Sequence, residues 1–219
     1  MESASKTIAG PRLPARLDVV PPGSARPEPD RTYQHLHVQR PRLSHADLTQ
    51  VELAGTLIEA ADLTVADVTG AVLRDCRIER GDFANITARS ASLTRVTIEA
   101  VRATGASLAD CRLVDVTFTE AKLDLAGFRF GRLRRVEFRQ CNLSRADFTG
   151  ADIRGARFVG CDLSGAQFSQ VNADGTWFAD CWMEGIGGVS SLRGASVRSD
   201  DLVSLSRVLA RALGIEIVV

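Results

Sequence analysis

Every fifth residue from Leu43 to Met183 is apolar, and the register holds without a slip across 29 positions. The ladder opens Leu43, Leu48, Leu53, Ile58, Leu63, Val68 and closes Phe158, Leu163, Phe168, Ala173, Phe178, Met183. A period of five matches neither the ~3.6 residues of a helical turn nor the ~2 of a strand. The chain therefore has to turn a corner after each short unit, which makes it a solenoid.

The residue two places before each ladder position is restricted as well. Ala46, Val51, Thr56, Ala61, Ala66, Ala71, Cys76 and Gly81 open a series that ends at Cys181, and apart from Pro41 and Ile86 none is larger than valine. The other positions are mostly Asp, Arg, Ser, Thr, Asn, Gln and Gly, as expected of side chains in water. Each unit reads small, polar, large, polar, polar, with two positions pointing in and three out.

The triplets Ala46-Asp47-Leu48, Ala61-Asp62-Leu63, Cys141-Asn142-Leu143, Ala146-Asp147-Phe148, Ala151-Asp152-Ile153 and Cys161-Asp162-Leu163 carry the pattern A-(D/N)-L-x-x. On these residues the segment 41–185 resembles the pentapeptide-repeat family. The resemblance implies an all-β solenoid, a right-handed quadrilateral parallel β-helix with four units per coil. It also implies a C-terminal capping or dimerisation α-helix. Periodicity alone implies only a solenoid of five-residue units.

With four units per coil, residues twenty apart stack. The segment then makes a little over seven coils and a rod roughly 35 Å long at a strand spacing of ~4.8 Å. Sorting the ladder by wall puts Phe118, Phe138, Phe158 and Phe178 on one wall and Phe128, Phe148 and Phe168 on the opposite one. Leu123, Leu143, Leu163, Leu133 and Ile153 fill the walls between. Opposed aromatic stacks predict a tightly packed C-terminal half, while the N-terminal half is mainly Leu, Ile and Val. Three weak ladder positions, Ala88, Ala103 and Ala173, follow Ile86, Val101 and Val171, so volume lost at one inward site is partly returned at the other.

The 27 acidic and 27 basic residues cancel, so no global field points to nucleic acid or a membrane. The basic residues are 25 Arg and 2 Lys, a bias in keeping with a GC-rich genome. No stretch approaches the ~18 apolar residues of a membrane span, and a cytoplasmic location is expected. All 5 cysteines, Cys76, Cys111, Cys141, Cys161 and Cys181, occupy the small inward position and read as small hydrophobes. No CxxC spacing exists and no histidine joins them. His35, His37 and His45 cluster without a cysteine or carboxylate constellation, so neither a metal nor a cofactor is expected.

All 7 prolines lie within the first 41 residues, and residues 1–31 read as a flexible proline-rich arm. Residues 32–40 read as an N-terminal cap strand. Residues 186–219 read as a C-terminal cap. In it Ser199-Asp200-Asp201 starts a helix of about 200–213, Gly214 stops it, and residues 215–219 close as a strand. The helix carries one apolar stripe of Leu202, Leu205, Val208, Leu209, Ala212 and Leu213, fit to cover the open last coil. Trp177 and Trp182 point outward there and are expected under this lid or a second subunit. Ser191-Leu192-Arg193-Gly194-Ala195, this helix and Gly214-Ile215 resemble the C-terminal module of actinobacterial pentapeptide-repeat proteins. In the mycobacterial fluoroquinolone-resistance type that module makes a head-to-head dimer, so a homodimer is the expectation.

No phosphate loop, Ser/His/Asp set or zinc spacing is present, and a non-catalytic protein is expected. The resemblance implies mimicry of duplex DNA toward DNA gyrase, with quinolone or toxin protection, as one activity. Its acids here would include Asp47, Asp67, Asp110 and Asp147. The charge pattern points elsewhere. Arg129, Arg132, Arg134, Arg135, Arg139 and Arg145 form a basic block, and stacking places Arg112, Arg132, Arg134, Arg135 and Arg154 on one wall. Such a wall repels a DNA-binding saddle, so mimicry could use only another wall or the acidic ends. Its arginines either pair with Asp115, Glu137 and Asp152 or offer a site to an acidic partner. Leu125 and Phe130, on adjacent corners, stand where the repeat is otherwise polar and would act as anchors. The leading expectation is a protein-interaction scaffold that binds through Leu125, Arg129, Phe130, Arg132, Arg134, Arg135 and Arg154. Gyrase-directed mimicry follows, and direct nucleic-acid binding through the arginines comes third.

Overall fold

The computed structural model describes residues 7–216. The described residues wind into a parallel β-solenoid of about 9 turns followed by a single α-helix. Strand partners are 20 residues apart through the body, as in Leu53↔Leu73, Ile78↔Ile98 and Phe118↔Phe138. Four inward ladder residues therefore occupy each coil. We number the walls I to IV by the ladder residues Leu43, Leu48, Leu53 and Ile58. Continuous strands concentrate on walls III and IV: Val72–Asp82, Ser92–Arg102, Arg112–Thr119 and Arg132–Arg139. On walls I and II single bridges such as Asp47↔Asp67 and Asn142↔Asp162 hold the same register.

The corners explain the period. Each residue whose number is a multiple of five, from Asp30 to Gly185, has a positive φ, and 23 of these corners are not glycine. A left-handed residue reverses the local direction of the chain, and non-glycine side chains adopt it at a cost of about 1 kcal/mol or more. The recurrent Asp or Asn between the two inward residues secures the turn. Asp47 Oδ1 accepts the Thr49 N–H at 3.0 Å, Asp62 Oδ1 that of Thr64 at 3.1 Å, and Asp162 Oδ1 that of Ser164 at 2.9 Å. The Thr49 N–H and hydroxyl hold the Asp47 carboxyl below the usual range, and the Thr64 hydroxyl, with its N–H, does the same for Asp62.

Both ends depart from the twenty-residue step. Residues 32–40 form not one strand but two, Thr32–Gln34 and Leu36–Gln39, bent at His35, with Tyr33 and Val38 continuing the ladder. A further strand, β1 (Asp18–Val20), pairs with the second of these at an offset of 18, as in Asp18↔Leu36. These added coils bring the count to about 9 rather than a little over seven. The proline-rich segment before β1 lies along the corner between walls III and IV. Arg12 N–H donates to Asp75 Oδ1 at 3.0 Å and Ala9 N–H to Asp115 Oδ1 at 3.4 Å. At the other end Trp177–Ala179 pairs with Ser196–Val197 at an offset of 19.

In the C-terminal half the core is a herringbone. Rings within a column lie parallel at 4.9–5.1 Å, as Phe118–Phe138 at 4.9 Å and Phe148–Phe168 at 5.1 Å. The columns meet edge to face, as Phe128–Phe138 at 5.7 Å. Every ladder residue from Leu113 to Met183 keeps at most 2% of its surface accessible. The cysteines are free and buried, and their thiols donate to backbone carbonyls, as Cys111 Sγ to Ala88 O. Burial pushes Cys76 up to about 11 and Cys111 to about 12, leaving them unreactive thiols at neutral pH.

The helix α1 spans Leu202–Ala212. Leu205 is buried and Val208 packs against the core, while the Asp201 carboxylate accepts the Cys181 N–H at 3.2 Å and so caps the last coil. Ile215 and Glu216 are not in a strand, and residues 217–219, the rest of the expected closing strand, lie outside the described residues.

Candidate functional site

The basic wall is assembled as its spacing requires. On wall III, Arg112 pairs in register with Arg132, Val114 with Arg134, and Arg132 bridges to Asp152. Like charges stacked directly across a parallel pair repel each other. Part of the wall is neutralised. Arg135, at the corner, grips Asp115 with two hydrogen bonds of 2.6 and 2.7 Å, and Arg154 grips Asp152 at 2.8 and 2.7 Å. The Arg135 guanidinium holds the Asp115 carboxyl below its usual range against the opposing effect of burial. Arg112, Arg132 and Arg134 make no ion pair among the described residues, and all three are exposed.

Phe130 borders this wall at the corner between walls II and III, 53% exposed at a φ of 58°. Its ring lies under the Arg129 guanidinium, 5.6 Å from the centroid, while Arg129 also reaches Asp147 at 3.5 Å. Leu125, 55% exposed, sits on the corner between walls I and II, so wall II separates it from the arginines. The structure thus brings Phe130, Arg112, Arg132 and Arg134 together and commits Arg135 and Arg154 to carboxylates. Two features were missed from the sequence. One is the ion pair Asp75–Arg95, with hydrogen bonds of 2.6 Å, which extends the expected Asp115–Arg135 pair into a column. The other is the segment that lies on it. The twenty-residue stacking of Asp75, Arg95, Asp115 and Arg135 already signals the column.

Of the four acids, Asp47, Asp67 and Asp147 share wall II and Asp110 stands on its corner with wall III. Asp47 and Asp67 are neighbours. Thr87, Ser107 and Gly127 then intervene before Asp147, which Arg129 neutralises. At the C-terminal end Trp182 is 70% exposed, so α1 does not cover it, and Leu202, Leu209 and Leu213 are 52%, 40% and 73% exposed. Trp177 is half-buried on wall IV. No group of three or more His, Cys, Asp or Glu that would hold a metal occurs among the described residues. His37 Nε2 instead lies 3.1 Å from Glu59 Oε2. No described helix is long and apolar enough to cross a membrane.

Parallel four-cornered coils with an inward code of two residues and a variable outward surface define a β-solenoid repeat protein. The chain belongs to the pentapeptide-repeat family. The pentapeptide repeat region model matches residues 71–148 and 91–168, and the model of eight pentapeptide repeats matches 42–80, together more than half of the chain. Solved structures similar to it include full-length QnrB1, a plasmid-mediated fluoroquinolone resistance protein, at 22% identity over 85% of this chain and 92% of that one, with a TM-score of 0.41. Another is HetL, involved in heterocyst differentiation regulation in the cyanobacterium Nostoc sp. strain PCC 7120, at 18% identity over 75% and 84%, with a TM-score of 0.35. No curated protein sequence matches the chain.

Proposed function

We propose that this pentapeptide-repeat protein is a non-catalytic, cytoplasmic scaffold that binds an acidic protein surface through wall III. One observation carries the reading: Arg112 and Arg132 stand stacked with Arg134 beside them, all three exposed and without carboxylate partners among the described residues, next to the exposed ring of Phe130. Stacked like charges cost stability in the free protein, and an acidic partner removes that cost on binding. An aromatic edged by arginines is also the composition that concentrates binding energy.

The exposed apolar residues around α1 and Trp182 support a homodimer through the C-terminal module. Gyrase-directed DNA mimicry has weaker support, because the acids of wall II are interrupted by three neutral positions and a neutralised Asp147.

The test is capture from lysate with the wild type and with Arg132→Glu/Arg134→Glu, both verified as folded. A defined protein retained by the wild type, lost from the variant and released by salt is the expected result. An identical set of captured proteins removes wall III from the function. Salt-dependent retardation of duplex DNA by the wild type would instead favour the nucleic-acid reading. Inhibition of gyrase supercoiling that depends on Asp47 and Asp67 would favour mimicry.

A further inference from the structure

The two halves of the solenoid are filled differently, and the less filled one holds a channel. Beyond Leu113 the ladder residues are sealed, yet in the N-terminal half Leu93 keeps 6% of its surface, Ile78 7% and Leu63 8%, and Leu73 and Ile98 are only partly buried. These side chains point inward, so the surface they retain is internal. It belongs to a cavity of about 330 Å³ whose lining runs from Ser24–Pro27 and Tyr33 at the N-terminal end to Phe118 and Leu123.

Sequence and packing explain where it starts and stops. Ala88 and Ala103 leave the axis open, and Ile86 and Val101 do not refill it, since all four line the cavity. Phe118, the first ring of the herringbone, closes the far end. From Val38 to Phe118 the axis advances four coils, roughly 19 Å at ~4.8 Å each. The lining is aliphatic almost throughout.

The near end differs. Residues Pro21–Ser24 form a turn over the first coil, closed by Ser24 Oγ donating to Pro21 O at 2.7 Å. Arg26 folds against it, with Nη1 donating to Ala25 O at 2.9 Å and Gly23 O at 3.3 Å. Its Nε and Nη2 have no acceptor among the described residues. Arg26 is exposed and also lines the cavity, so the channel reaches the surface beside this residue.

We infer that the N-terminal half of the solenoid is a binding site for a linear aliphatic carboxylate, with the alkyl chain along the axis and the carboxylate on Arg26. A narrow apolar tube rejects branched or polar ligands, because their groups would be buried without partners. A long saturated chain matches both its length and its lining, and a single cationic group at the mouth selects an anionic head. The inference concerns the interior and is independent of wall III.

The test uses the full chain and palmitate, read by displacement of cis-parinarate fluorescence. Saturable uptake at one site is expected. Ala88→Phe and Ala103→Leu, which refill the axis, are expected to weaken palmitate by at least about tenfold while retaining the wild-type circular dichroism. Should Ala88→Phe fail to fold, the milder Ala103→Leu decides. Arg26→Ala should weaken palmitate about fivefold, as befits an exposed charge, and leave hexadecanol unchanged. Equal palmitate binding by Arg26→Ala overturns the headgroup assignment. Wild-type protein that takes up no palmitate, with refilled variants merely melting higher, would mean a dry void and overturn the site. So would undiminished binding by the refilled variants.

Discussion

The ring of Phe130 lies over the backbone of Gly150, one coil further along, so closely that a Cβ added to Gly150 would stand 2.6 Å from Phe130 Cδ1. Phe130 is therefore both exposed to solvent and the cover of a glycine corner whose φ is +71°. Gly150→Ala should cost about 1–3 kcal/mol, combining left-handed strain with displacement of the ring. In a Phe130→Ala background only the strain of about 1 kcal/mol should remain. Urea unfolding of the four proteins measures the difference, and strictly additive effects would show that the contact has no energetic consequence.

Stability should respond to acid through the column beside wall III. Arg95 and Arg135 hold Asp75 and Asp115 below the usual range, each carboxylate also accepting an N–H from the N-terminal segment. A carboxyl depressed in the folded state contributes stability that is present above its unfolded value of about 3.9 and lost as pH falls through the folded value. Stability should thus decline with acidification below about pH 4, and less steeply in Asp115→Asn. Amide protection of residues 7–16, relative to their intrinsic exchange rates, should fall over the same window. Equal acid slopes for wild type and variant would contradict the linkage.

The five-residue period carried the walls, the facing phenylalanine columns and the stacked arginines, because each depends only on residue type at a fixed spacing. What it did not carry depends on backbone or volume. The N-terminal segment docks with the N–H groups of Arg12 and Ala9, donors that every residue but proline owns, so composition read it only as an arm. The Phe130–Gly150 contact needs the direction in which a corner side chain leans. The axial cavity needs the sum of volumes around Ala88 and Ala103, where an apolar pattern records that the positions face inward but not whether they touch.

That unevenness predicts a gradient of mutational cost. Phe148 stacks on Phe128 and Phe168 and meets Phe138 and Phe158 edge to face, fully buried. Phe148→Ala should cost about 3–5 kcal/mol. Phe83 lines the cavity and already lacks neighbours on that side, so Phe83→Ala should cost about 2 kcal/mol, with fewer contacts to lose. Chemical denaturation gives the ranking, and equal costs would mean that the two halves are equally packed.

The apolar stripe of α1 divides into a buried part and an exposed part. Leu205 is inserted into the core, so Leu205→Ala should loosen the cap by about 2–3 kcal/mol whatever the state of association. Leu209 and Leu213 face away from the core, and Leu209→Glu/Leu213→Glu should leave the melting of the solenoid unchanged while halving the mass seen in sedimentation. Trp182 supplies an independent reading, since its ring is exposed in the single chain. In a Trp177→Phe background, emission from Trp182 should shift to the blue as protein concentration rises, and the double glutamate variant should abolish that shift. A mass and an emission maximum that stay constant with concentration, at the values of a single chain, would leave α1 as a lid alone. They would also place the exposed leucines outside any contact between copies.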